Sequence, residues 1–199
     1  MKRAYALIIV PVTAFGLAAC GSSHDSKSAS TSMPGMAMSS APASASAAGH
    51  NGADVMFAQM MIPHHQQAVE MAKLAATHAS MPEVKKLAAT IEGAQQPEIT
   101  KMTGWLTDWK AAMPSGGGMS MGNDGMMSDA DMKKLAKLKG MAFDKMFLQM
   151  MIKHHQGAIT MAKTEQAQGQ AGDAKTMATS IVTSQSAEIA AMNKYLNAM

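Results

Sequence analysis

Residues 54–73 read DVMFAQMMIPHHQQAVEMAK and residues 144–163 read DKMFLQMMIKHHQGAITMAK, an offset of 90 residues with 14 of 20 positions identical. Self-similarity at a fixed offset marks a duplicated structural unit. The same offset, without a gap, pairs Ile91, Gln95, Glu98, Ile99, Met102 and Leu106 with Ile181, Gln185, Glu188, Ile189, Met192 and Leu196, and Trp105 with Tyr195. Each copy therefore holds two segments. In the first, at about 100° per residue, Phe57, Met60, Met61, His64, His65, Ala68, Met71, Ala72 and Ala75 share one arc, while Gln59, Pro63, Gln66, Glu70 and Lys73 lie opposite. That is an amphipathic helix with its histidines inward. The second segment opens on Ser80-x-x-Glu83, a capping-box pattern, and carries an apolar stripe of Val84, Leu87, Ala88, Ile91, Met102 and Leu106 with Glu98 inside it. Pro63 and Pro97 fall inside the helices of the first copy only, each removing a backbone donor.

Two hairpins of long helices, each with one apolar face, can cover those faces only by packing together. The expected fold is all-α, a four-helix bundle built from two repeated helical hairpins, over residues 54–112 and 141–199. Between them, residues 113–127 are rich in Gly and Met and predict a flexible connection; Ser128-x-x-Asp131 then starts a short helix over 128–140.

The chain has 199 residues, enough for one ordinary domain or a duplicated one. Removing Lys2 and Arg3 leaves 15 Lys plus Arg against 14 Asp plus Glu, so no basic excess points to a nucleic-acid partner. A single cysteine excludes an intramolecular disulfide, a CxxC pair and any Cys-based zinc site. Residues 1–19 have a basic start and an apolar stretch too short to span a bilayer, then Leu17-Ala18-Ala19 before Cys20. This resembles a bacterial lipoprotein signal, which implies cleavage before Cys20 and a membrane anchor on its acylated thiol and amine. The protein is then expected outside the cytoplasm, in the periplasm or at the cell surface. Residues 20–53, dominated by Ser, Ala and Gly, are too poor in large apolar side chains to fold and predict a tether.

Methionine, 24 residues in all, is the anomaly. Spacings of three and four put Met60 and Met61 beside His64 and His65, so thioether sulfur and imidazole nitrogen share a helix face; Met150, Met151, His154 and His155 repeat the set. Thioether is a soft ligand and imidazole a borderline one. The mixture without cysteine suits Cu(I) first, also Ag(I), then Cu(II) through the imidazoles, and disfavours calcium and magnesium. The competing reading is that Met fills irregular bundle cores and His is a satisfied core residue. Against it, titratable rings concentrated in a small core cost desolvation unless a metal or acid partners them. Glu98 and Glu188 have two functional readings, as acceptors that orient the imidazoles from behind or as oxygen ligands, beside a reading as edge residues reaching water. Asp54 and Asp144 read as helix-start residues rather than ligands. Met33, Met36 and Met38 with His24 and His50 in the tether, and Met119, Met121, Met126 and Met127 in the connection, either collect soft ions weakly or reflect compositional drift.

The doubled pattern Phe-x-x-Met-Met-Ile-x-His-His-x-x-Ala-x-x-Met-Ala, at residues 57–72 and 147–162, resembles the DUF305 family of bacterial extracytoplasmic proteins over residues 54–199. The resemblance implies a ferritin-like bundle, copper binding through Met60, Met61, His64, His65, Met150, Met151, His154 and His155, and a part in copper tolerance or trafficking. A copper-handling protein would be the natural partner. Ferritin-like di-iron enzymes need Glu-x-x-His, whereas this chain has Met61-x-x-His64 and Met151-x-x-His154. Sulfur in place of carboxylate disfavours an oxidase or ferroxidase, and no catalytic constellation stands out. The alternatives to copper capture are that oxidase and a metal-free interaction module.

Overall fold

In the computed structural model, which describes residues 49–114 and 125–199, the first helix begins where Asn51 can satisfy its free amides. The Asn51 side chain accepts from the backbone N–H of Ala53 and Asp54, and the Asp54 carboxylate accepts in return from Asn51 N at 2.5 Å. Helix α1 (Gly52–His78) turns through residues 79–81 into α2 (Pro82–Asp108); α3 (Asp129–Leu135) is short; α4 (Gly140–Gln168) turns into α5 (Gly172–Asn197). At 27 residues α1 spans about 40 Å, and the other three long helices are similar. Pro63 and Pro97 lie inside α1 and α2, as the sequence requires.

Helix α1 packs on α2 and α4 on α5, and the hairpins meet chiefly through α1 against α4. The all-α four-helix bundle is thus observed. The apolar interior forms two clusters. One joins Phe57, Met61 and Ile62 of α1 to Met102 and Leu106 of α2, Ala158 and Ala162 of α4 and Ile181 of α5. The other joins Met71 and Ala75 of α1 to Val84 and Ile91 of α2 and to Phe143, Phe147 and Met151 of α4. The start of α1 therefore lies against the end of α4, so the central pair is antiparallel and its midpoints cross at the histidines.

Both ends of that crossing are tied by an aspartate. The Asp54 carboxylate accepts from Ala171 N at 2.9 Å and Gln170 N at 3.1 Å, capping the α4–α5 turn. Asp144 does the same for the α1–α2 turn, accepting from Ser80 N at 3.1 Å, Met81 N at 3.0 Å and the Ser80 hydroxyl. Each repeat thus caps the turn of the other. This explains why the capping box expected of Ser80 and Glu83 does not form. The cap of α2 falls on Met81, with no side-chain hydrogen bond and Pro82 supplying the first turn, because the Ser80 hydroxyl is taken by Asp144.

The boundaries shift in three places. The fold reaches back to residue 50, where the His50 ring stacks on Trp109 with centroids 4.6 Å apart, so the last residues of the expected tether belong to the bundle. Ser128 caps α3 as expected, but that helix ends at Leu135. Met127 is not part of a loose connection: the Gln67 amide donates to its carbonyl at 2.9 Å and accepts from its N–H at 2.7 Å. Just before it, Gly125 takes φ +77°, and a Cβ there would stand 2.5 Å from the Lys153 carbonyl. The second copy has Gly157 where the first has Gln67, which leaves room for this segment against α4. The leader, Cys20, the tether methionines with His24, and Met119 and Met121 lie outside the described residues.

Candidate metal centre

The histidines sit where they do because each occupies the inward face of a central helix at mid-length. His64, His65, His154 and His155 are all at most 1% exposed. His64 and His154 meet across the crossing, with ring centroids 3.6 Å apart and planes inclined by 34°. His65 lies 6.5 Å from His64, and His155 6.4 Å from His154. The four rings form one continuous layer between the two apolar clusters.

The outer helices fix the outer rings. His65 Nε2 is 2.7 Å from Glu98 Oε2, and His155 Nε2 is 2.7 Å from Glu188 Oε2. A carboxylate accepts, so it draws the proton to Nε2 and leaves the lone pair on Nδ1. Nδ1 of both rings is buried without a hydrogen-bond partner among the described residues. Each carboxylate is itself partly open to solvent, 22% for Glu98 and 14% for Glu188. Glu98 and Glu188 thus hold the imidazoles from behind. Burial first, then the neighbouring His64, His155 and His65 rings, hold the His154 imidazole well below its ordinary 6.5. A neutral ring in that position offers one nitrogen lone pair to an electrophile.

The methionines do not all converge with the rings. Met61 is fully buried in one apolar cluster and Met151 in the other, with Met150 beside it, whereas Met60 is only half-buried. Thioether therefore flanks the imidazole layer on both sides. Among the described residues no three His, Cys, Asp or Glu side chains are placed to close round one ion.

Sequence reasoning passed over two features. Gln95 and Gln185 are buried one turn before the glutamates, and among the described residues both amide atoms of Gln95 and Oε1 of Gln185 have no hydrogen-bond partner. The signal was there: polar residues identical in both copies on an otherwise apolar stripe. Glu165, in contrast, has Ala75 as its counterpart in the first repeat and left no trace in the repeat. It is buried at the pole beside Asp54; burial and then that neighbour push its pKa up to about 8, partly offset by Lys175. Burial alone would raise Asp54, but Glu165 and the backbone N–H groups of Asn51, Ala171 and Gln170 together hold it below its ordinary value.

The fold and its donor set define a duplicated antiparallel helical bundle with a buried imidazole layer flanked by thioethers. The DUF305 family, described as a domain of unknown function, matches residues 54–196, and this chain belongs to it. Among solved structures it is similar to a DUF305 protein of Streptomyces coelicolor, assigned provisionally to the secreted proteins, at 38% identity over 73% of this chain and 92% of that one, with a TM-score of 0.68. A DUF305 fragment from Deinococcus radiodurans is 29% identical over 75% of this chain and 98% of that chain, also at 0.68. CopM in its Cu(I)-bound form is 35% identical over 72% of this chain and 95% of that one, at 0.62; CopM is also solved with Cu(II) and with Ag. No curated protein matches.

Proposed function

We propose that this protein captures copper outside the cytoplasm, Cu(I) in preference to Cu(II), and holds it for sequestration or for transfer to a copper-handling partner in copper tolerance. The observation that carries the reading is the imidazole layer. Two outer rings have their tautomer set by Glu98 and Glu188 so that a buried Nδ1 is left without a partner among the described residues, and the two inner rings meet tilted with centroids 3.6 Å apart. The Nδ1 atoms of His65 and His155, buried without a partner among the described residues, cost desolvation. A soft cation shared between imidazole and the thioethers of Met60, Met61, Met150 and Met151 would offset that cost, and the similarity to the copper and silver forms of CopM supports the same ion class. Both glutamates are engaged with histidine, which favours binding over carboxylate-bridged oxygen chemistry.

The location follows from the sequence before the bundle. No described helix is long and apolar enough to cross a membrane. Acylated Cys20 would hold the protein at the membrane, with residues 21–53 as the tether. Metabolic labelling with a fatty acid, abolished by Cys20→Ala, tests the anchor.

The binding reading is tested by titrating Cu(I) against a chromophoric chelator, comparing wild type with the double variant His64→Leu and His154→Leu. Leucine keeps the interior apolar and filled, so loss of copper with retained helicity reports the ligands. The expected result is loss of the tightest site; unchanged stoichiometry and affinity would overturn the reading.

A further inference from the structure

The row of side chains leading to the histidine layer begins at the surface. On α1, Met56, Met60 and His64 are spaced by four, and along that row exposure falls from 51% at Met56, through half-burial at Met60, to 1% at His64. A row of spacing four is inclined to the helix axis by about 26°, so on a packed helix it turns from solvent into the interface within a few steps. The row therefore leads from water to the rings in two steps, each ending on a soft or borderline donor.

The second repeat has the same row, Met146, Met150 and His154, but it is not open in the same way. Met146 and Met150 line a pocket with Lys134, Leu138, Ala142 and Lys145. The stretch from α3 to the start of α4 thus lies beside the row, where Met146 is half-buried and Met150 only 7% exposed, so this row offers no sulfur as open as Met56. In the first repeat the neighbouring segment differs. The Gln59 side chain donates to the Ala112 carbonyl at 2.8 Å, which ties the chain after α2 to α1 one residue before Met113, 46% exposed.

We propose that Met56, with Met60 behind it, is the entrance through which a soft monovalent cation reaches the histidine layer, and that the equivalent, less exposed row on α4 is a structural copy that does not serve as one. The proposal rests on the copper reading above and adds its route. Each step is a ligand exchange: the bond to the sulfur being left breaks as the bond to the next donor forms. The cation keeps its oxidation state and no proton moves between sulfurs, since a thioether carries none.

The test uses the full chain and Cu(I) supplied as its bicinchoninate complex, with the loss of the complex's colour followed after rapid mixing. Met56→Leu and Met146→Leu keep volume and remove one sulfur each. Met56→Leu is expected to slow uptake about tenfold, the effect of a barrier raised by about 1.4 kcal/mol, while the copper finally held stays the same. Met146→Leu is expected to take up copper at the wild-type rate. Wild-type uptake by Met56→Leu, or equal slowing in both variants, would overturn the entrance while leaving the binding reading intact. A wild-type chain that withdraws no copper at equilibrium would remove both.

Discussion

His154 concentrates the physical tension of the molecule in one side chain. It is fully buried, tilted against His64 at 3.6 Å, and held toward its neutral form by burial and by the surrounding rings. An imidazole whose pKa falls on folding takes its proton preferentially in the unfolded chain, so the metal-free protein should lose stability as pH falls below about 6.5. His154→Leu removes that linkage. Its advantage in melting temperature over wild type should grow as pH drops from 7 to 5, and a constant difference across that range would contradict the assignment. Glu98 acts one residue further out. Glu98→Gln keeps the shape but weakens the acceptor that fixes His65, and Cu(I) affinity in a chelator competition should fall by about 10- to 100-fold. Unchanged affinity would mean that the carboxylate has no part in presenting Nδ1.

Among the elements, the turns depend on residues far away in sequence. Asp144→Ala leaves the Ser80 and Met81 amides without their acceptor and should cost about 1–3 kcal/mol in denaturant unfolding, with Asp54→Ala costing at least as much because it also ends the Asn51 cap. A loss well under that range for Asp144→Ala would show the turn to be held by packing alone. The helices themselves were legible because their evidence is local: a period of 3.6 and a repeat that printed the pattern twice. The caps were not, since the contact from Ala171 to Asp54 crosses 117 residues and the one from Ser80 to Asp144 crosses 64. Ser80 and Glu83 carry the letters of a capping box, yet a charged acceptor from the other hairpin outcompetes the local bond. Met127 was misread for a similar reason, because the Gln67 side chain that clamps it sits 60 residues earlier. At the site, the inward histidines and the orienting glutamates could be read from spacing. The division of Met61 and Met151 between two clusters could not, since it follows from how α4 crosses α1.

For the molecule as a whole, two buried groups of α4, His154 at the crossing and Glu165 at the pole, oppose each other in pH. Glu165 has its pKa raised from 4.5 to about 8, so the unfolded chain releases its proton first. The stability it contributes is complete below about 4.5 and lost as pH climbs toward 8. Glu165→Gln should therefore gain on wild type in melting temperature as pH rises across that window, whereas the gain from His154→Leu appears at the acid end. A Glu165→Gln advantage that stayed level from pH 4.5 to 8 would place the carboxyl in water instead. Duplication gives the bundle its approximate symmetry, and the stretch around α3 breaks it by packing beside one methionine row, with Lys134 and Leu138 against Met146 and Met150. The central claim concerns what the symmetric middle holds. X-ray absorption at the copper edge of the full chain loaded with one equivalent of Cu(I) tests it directly. The account predicts a low-coordinate ion with both nitrogen and sulfur neighbours, the nitrogen shell shrinking in the double variant His64→Leu and His154→Leu. A sulfur-only or oxygen-rich shell that persists in that variant would place copper elsewhere on the chain.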